Sequence, residues 1–344
     1  MGSEQNIDIV ITWVDGSDPA WLEEKAKYQQ KKSGDVRANR YRDWDFLRYW
    51  FRAVEENATW VRNIYFVTWG HLPAWLNTDH PKLKIVNHKD FIPAEYLPTF
   101  SCRPIEMNLH RIPGLSERFV YFNDDMFLLR KTEATDFFKN GLPCDTAVLD
   151  AITINETTND GDPIKAQSLY TTLIFNVAAI NRNFNKRESM RKNWRKWYSP
   201  VYGKQVIRTL LLTPWIKFTG FKSPHVPYSY LKSTFEDAWQ HEEEVLKLAC
   251  EHKFRQPTDV SSRMFSYWQL AKGTFMPRSP KAGVSTSICA DAKKNEETLR
   301  IIRNREHKML CINDDYHGDH FEEIQKQFID AFESIYPKKS SFER

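Results

Sequence analysis

The sequence predicts an α/β fold built on a mostly parallel sheet, and three observations carry that prediction. Short β-branched and apolar runs recur at residues 7–14, 63–69, 83–86 and 118–122. Segments with helical spacing alternate with them, most plainly 43–58, where Phe46, Leu47, Trp50, Phe51 and Val54 mark one face. Two of the runs end in acidic turns, Asp15-Gly16-Ser17-Asp18 and Asn123-Asp124-Asp125. Strands that alternate with helices are the pattern of parallel sheets.

The elements follow in order. Residues 7–14 read as a buried strand closed by a polar turn before Pro19. Residues 20–32 read as a helix, and 33–42 as a polar stretch. The segment 63–69 is the second strand, 83–86 a short third, 104–111 a helix, and 118–122 the fourth strand. Residues 229–253 read as a charged helix and 260–272 as a more apolar one. Residues 274–295 read as irregular, and 296–310 and 319–335 as the last helices, flanking Cys311 to Asp315.

The middle of the chain is different. Between Arg182 and Lys222 there are eleven basic residues and one acid, Glu188, with Trp194, Trp197, Tyr198, Tyr202 and Trp215 among the interleaved aromatics. The chain of 344 residues carries a net charge of only +4, so a local +10 leaves −6 for the rest. The stretch suits a surface for a polyanion or an anionic membrane leaflet, or equally a solvated helix pair whose aromatics are core. The division expected is a core over 1–150, a basic aromatic insertion over 151–222, and a C-terminal part over 223–344 that completes the site.

Composition excludes several classes. No apolar run approaches the ~18 residues of a membrane span, and the N-terminus has no charged segment followed by an apolar stretch. The five cysteines show no CxxC pair, which suits reduced thiols in a cytosolic protein. The small net charge announces no nucleic-acid binder. No P-loop, GxGxxG, GxSxG or HExxH pattern occurs.

Five constellations can carry chemistry. Thr12 to Asp18 ends the first strand, where open α/β sheets bind nucleotides, with Trp13 able to stack on a base and Asp15 or Asp18 able to accept from ribose. A polar turn with a buried Trp is the reading that spacing alone favours. Asp124 and Asp125 suit a Mg²⁺ site with substrate phosphates, or an acidic turn. His225, between Pro224 and Pro227, is held by its neighbours and can serve as a base or phosphate donor, or simply cap a loop. Arg255 can clamp a phosphate or lie on the surface. Asn313-Asp314-Asp315 is a second acidic turn.

Together these segments resemble the Stealth family. IDIVITWVDGSDPAW resembles its first conserved region. The run from RDWDFLRYWFRAVEENATWVRN through LPTFSCRPIEMNLHRIPG to YFNDDMF resembles the second. SPHVPY up to FRQPTD resembles the third, and CINDD the fourth. The family contains bacterial capsular-polysaccharide phosphotransferases and the animal lysosomal-enzyme N-acetylglucosamine-1-phosphotransferase.

The resemblance implies a Rossmann-like, GT-A-like nucleotide-sugar transferase core with a helical basic insertion. It implies transfer of a sugar-1-phosphate from a nucleotide sugar, UDP by expectation, to a polysaccharide or oligosaccharide hydroxyl. By position, Glu106, Asp125, His225 and Arg255 match catalytic residues. Thr12, Trp13, Val14, Asp15, Gly16 and Asp18 match the nucleotide-sugar loop, with Arg42 and Arg48 added to the donor contacts. Asp15 stands where the animal enzyme has Asn. A Mg²⁺ or Mn²⁺ is expected at Asp124 and Asp125 with Asn313 or Asp314 nearby, and either His225 or Glu106 as base. The competing readings are a metal-dependent glycosyltransferase that releases a nucleoside diphosphate, and a carbohydrate-binding protein without turnover. The expected setting is cytoplasmic, with peripheral membrane or assembly contact through 182–222.

Overall fold

A computed structural model describes residues 6–29, 41–154, 163–222 and 224–344. The end of the expected 20–32 helix, most of the polar stretch 33–42, residues 155–162 of the expected insertion and Ser223 lie outside the described residues.

The main sheet is built from β1 (Ile7–Thr12), β2 (Ile64–Thr68), β3 (Leu83–Asn87) and β4 (Arg118–Asn123), hydrogen-bonded in the order β3-β2-β1-β4 and all parallel. Their β-branched and aromatic residues are buried on both faces, as a covered parallel sheet requires. The chain order reverses at β1, so the switch point lies between β1 and β4, where open α/β sheets bind ligands beyond the carboxyl ends. The register sets Thr12 beside Asn123, which brings both acidic turns to that crevice.

Helices α1 (Pro19–Gln29) and α2 (Leu47–Asn57) follow the first turn. The apolar side of α2, including Trp50 and Phe51, is fully buried, as its spacing predicts. Next come α3 (Cys102–Asn108), β5 (Met126–Leu128), α4 (Ala134–Phe137), β6 (Phe138–Lys139) and β7 (Leu142–Asp145). The segment expected as an insertion carries α5 (Pro163–Asn183), α6 (Lys186–Lys192), α7 (Trp194–Trp197) and α8 (Gln205–Leu212).

The C-terminal part differs from the sequence reading. The expected 229–253 helix is a strand and two helices: β8 (Tyr228–Leu231), α9 (Lys232–His241) and α10 (Glu243–Glu251). Strand β8 pairs antiparallel with β4, setting Tyr228 opposite Tyr121, and so closes the main sheet. Helix α11 (Arg263–Lys272) is as expected. The supposedly irregular 274–295 contains β9 (Met276–Pro277), β10 (Gly283–Ile288) and the start of α12 (Ala292–Arg303). Residues 304–310 are not helical; β11 (Met309–Asp314) runs between β10 and β5 in a second, three-stranded sheet, before α13 (Phe321–Ile335). A third small sheet joins β6, β7 and β9. Antiparallel pairing of β11 with β5 brings Cys311 beside Met126, and the Ile312 N–H donates to the Asp125 carbonyl at 2.9 Å.

In the insertion, Trp197, Tyr202, Phe218 and Phe221 are core, whereas Trp194 and Trp215 are exposed. Among the basic residues, Lys192 pairs with Glu188 at 2.6 Å and Lys196 donates to the Gly273 carbonyl at 2.6 Å. The reading of its aromatics as core thus holds for four of them and not for Trp194 and Trp215.

Candidate active site

The site is assembled where β4, β5, β8 and β11 come together. Asp125 stands in the turn from β4 to β5, His225 three residues ahead of β8, and Cys311 in β11. Their donor atoms lie within 4.8 Å of one another. His225 Nε2 is 3.8 Å from Asp125 Oδ2, too long for a hydrogen bond but close enough for a shared ligand atom.

Tyr228 orients the imidazole. Its hydroxyl lies 2.9 Å from His225 Nδ1 and accepts from Arg263 Nε at 3.1 Å. The guanidinium can only donate, so the tyrosine proton is available for Nδ1, and an imidazole with its proton on Nε2, facing Asp125, is the tautomer that uses it. Burial pushes the His225 pKa well below its usual value, and the Arg263, Arg103 and Arg255 guanidiniums act in the same direction. The ring is therefore neutral near pH 7.

Glu106, on α3, is buried, and its charge acts on Asp125. Its Oε2 accepts from Arg103 at 3.1 Å and from the Ser262 N–H at 3.2 Å. Its Oε1 accepts from the Tyr121 hydroxyl at 3.5 Å, a weak contact. Thr12 Oγ1 lies 3.1 Å from that hydroxyl, so the first strand's end is tied to Glu106 through one side chain. Arg255 reaches back to α3, with Nη2 2.9 Å from Cys102 Sγ.

The acid pair fits a hard divalent cation. Asp125 Oδ1 is buried with no hydrogen-bond partner among the described residues. Desolvation raises the Asp125 pKa to about 6, opposed by Cys311 and Arg263. That of Asp124 is raised to about 8, by desolvation in the cleft and then by the Asp125 and Asp43 charges. Asp124 is exposed, so the like charges are the firmer cause. An orphaned carboxylate oxygen on Asp125, next to a second acid whose ionisation it opposes, is a setting that a cation relieves. Burial pushes the Cys311 thiol well above its usual pKa, so it remains protonated and is a poor ligand for a hard ion.

Of the expected metal ligands, Asp124 and Asp314 both lie outside the cluster formed by Asp125, His225 and Cys311. The Asn313 amide donates to Ser285 Oγ at 2.9 Å and to the Thr286 carbonyl at 2.8 Å. Asp314 binds Arg42 through both oxygens, at 2.8 and 3.2 Å, and Arg42 also donates to the Tyr316 carbonyl. An expected donor contact and an expected metal ligand are thus paired with each other.

The first-strand loop divides similarly. Trp13, Asp15 and Arg48 line one cavity of about 320 Å³, together with Asp43 and Trp75. The Trp13 ring is buried against Phe66 and edge-on to His71, so it forms a wall of the cavity. The Arg48 guanidinium sits 5.6 Å from the centre of the Trp75 ring. Asp43 links this cavity to the acid pair through its effect on Asp124. Val14 packs on the Trp21, Phe100 and Phe254 cluster, and Asp18 caps α1, accepting from the Trp21 N–H at 2.9 Å. A Cβ at Gly16 would meet the Tyr41 carbonyl oxygen at 1.9 Å, so only glycine permits this approach.

Four participants were not singled out in the sequence: Tyr228, Arg263, Arg103 and His71. His71 Nε2 accepts from the Asp15 N–H at 2.8 Å and so shapes the loop. Its position just after β2, in the third polar strand end of the same sheet edge, was the available signal.

An acid pair, a buried imidazole and an acid-edged cavity thus stand at the switch point of the sheet, the place where open α/β sheets bind ligands. The chain belongs to the Stealth family. Stealth protein conserved region 1 matches residues 5–33, conserved region 2 matches 40–145 and conserved region 4 matches 300–344. It is 38% identical over its full length, and over all of the relative, to a capsular polysaccharide phosphotransferase WcwK of Streptococcus pneumoniae. It is 39% identical to the exopolysaccharide phosphotransferase cps2G of Lactiplantibacillus plantarum, covering 98% of this chain and 96% of the relative. Among solved structures it is similar to the galactosyltransferase LgtC, with a TM-score of 0.36, 8% identity, and coverage of 93% and 95% of the two chains. No helix among the described residues is long and apolar enough to cross a membrane.

Proposed function

We propose that the protein transfers a sugar-1-phosphate from a nucleotide sugar to a hydroxyl of a capsular or related cell-surface polysaccharide, releasing a nucleoside monophosphate. The observation that carries this reading is the convergence of Asp125 and His225, on which the Glu106 and Arg103 charges act, with an acid-edged cavity linked to the acid pair through Asp43. The full-length likeness to proteins named polysaccharide phosphotransferases supports the reaction class.

In this reading the acceptor oxygen bonds to the β-phosphorus, which bears the sugar. The bond from that phosphorus to the bridging oxygen breaks, and its electron pair leaves with the nucleoside monophosphate. The bond from the anomeric carbon to oxygen is untouched. In-line transfer of this kind depends on alignment and charge neutralisation. A Mg²⁺ or Mn²⁺ held by Asp124 and Asp125 would neutralise the diphosphate. His225, with its proton on Nε2, donates to a phosphate oxygen. Arg255 holds non-bridging oxygens. Glu106 takes the hydroxyl proton through Oε1, its less engaged oxygen. Trp13, Asp15 and Arg48 receive the nucleoside end, with a uridine base expected.

The test is incubation with Mg²⁺, a panel of nucleotide sugars and polysaccharide fragments. Release of a nucleoside monophosphate, lost in Glu106→Gln and Asp125→Asn, is expected. Release of a nucleoside diphosphate would place the attack at the anomeric carbon and overturn the proposal.

A further inference from the structure

The segment 163–222 exposes more large apolar side chains than the rest of the described residues. Of the fourteen large hydrophobic side chains exposed among the described residues, ten lie between Leu169 and Ile216. The densest group is at α8 and the turn after it. Ile207, Leu210 and Leu211 stand at i, i+3 and i+4, one face of a helix, while Thr209 on the opposite side is buried. Trp215 and Ile216 extend the stripe, with Leu211 69% and Ile216 71% exposed.

The turn is held in place rather than loosely displayed. Lys186 is buried, and its ammonium donates to the carbonyls of Leu212 at 2.6 Å, Thr213 at 3.3 Å and Trp215 at 2.9 Å. A buried cation serving three carbonyls at a helix end fixes a loop whose tips point away from the core.

The surroundings are basic. Lys204 and Lys217 are exposed beside the stripe, Arg208 is exposed but paired with Asp150 at 2.6 Å, and Glu188 is the one acid in the sequence between Arg182 and Lys222. We infer that α8 and the Thr213–Lys217 turn dock on an anionic lipid surface, with the apolar side chains in the acyl boundary and the bases among the headgroups. A short amphipathic helix with Leu, Ile and Trp on one side and Lys and Arg around it has the chemistry of an interfacial element. A second copy meeting this face about a twofold axis would set like charges against each other. A soluble polyanion would account for the bases and leave the Leu and Ile side chains without a partner.

The experiment is co-sedimentation of the full chain with phosphatidylcholine vesicles, with and without phosphatidylglycerol, at low and high salt. Binding that needs phosphatidylglycerol and weakens with salt is expected. Leu211→Glu with Ile216→Glu should lower it roughly tenfold or more. Unfolding temperature and turnover of a soluble acceptor should match the parent, which separates lost docking from lost fold. The inference fails if the parent does not prefer phosphatidylglycerol, or if the double variant binds as the parent does. It also fails if the variant instead abolishes a dimer seen by sedimentation in a parent that ignores vesicles.

Discussion

Tyr228 takes a hydrogen bond from Arg263 and has its own proton left for His225, so one hydroxyl decides which imidazole nitrogen faces Asp125. Tyr228→Phe should keep the ring stack with Tyr230 but free the imidazole to rotate. We expect turnover to fall by roughly tenfold, with donor KM little changed, because the loss falls on orientation. Steady-state release of nucleoside monophosphate checks this, and an unchanged kcat refutes it. At the acid pair, Asp125→Asn should abolish both turnover and the thermal shift produced by Mg²⁺. Asp314→Asn should retain the thermal shift, because that carboxylate is engaged by Arg42. The difference also shows how far single residues were legible. Asp125, His225 and Glu106 stand in recognisable motifs and meet in space. Arg42 and Asp314 stood in equally suggestive positions and turned out to bind each other, which no linear pattern could distinguish. Arg263 was overlooked because an Arg at the start of a helix reads as a surface residue until a buried tyrosine is found against it.

Elements made of one strong periodicity were legible, and elements defined by their partners were not. The five-residue apolar face of α2 and the β-branched runs of β1, β2 and β4 are set by local sequence. Strand β8 was read as helix because Leu231 runs directly into α9, with no glycine or proline to mark a boundary. Strand β10, Gly283–Ile288, is mostly half-buried Ser, Thr and Gly, and its pairing with β11 alone makes it a strand. The same dependence on distant partners holds the C-terminus to α2. Arg52 donates to both oxygens of Glu343, to Glu333 and to the Tyr336 carbonyl. The Glu343 side chain is only 3% exposed, so Arg52→Ala strands a buried carboxylate. A loss of about 3–5 kcal/mol is expected. Urea unfolding checks it, and a loss under about 1 kcal/mol would mean that water replaces the guanidinium.

At the scale of the whole molecule, the near-neutral total conceals a division that the sequence made visible: a basic insertion on an acidic framework that carries Asp43, Asp124 and Asp125. Concentrating acids at one sheet edge has a consequence for stability. The Asp125 carboxyl titrates near 6 in the folded chain and near its ordinary value of 3.8 when unfolded, and Asp124 shifts in the same direction. Between about pH 4 and pH 6 the folded chain therefore holds more protons than the unfolded one, and the window extends higher through Asp124. Stability contributed by these groups is present at low pH and is lost as pH rises through the folded values. A divalent cation competes with those protons and is bound best once they have left. The metal-free protein should thus show an unfolding temperature that falls from pH 5 to pH 8. Added Mg²⁺ should raise it by more at pH 8 than at pH 5, and Asp125→Asn should flatten both trends. Thermal unfolding across that range with Mg²⁺ or EDTA measures it. An equal Mg²⁺ effect at both ends would mean that the acid pair is not where the cation and the proton compete.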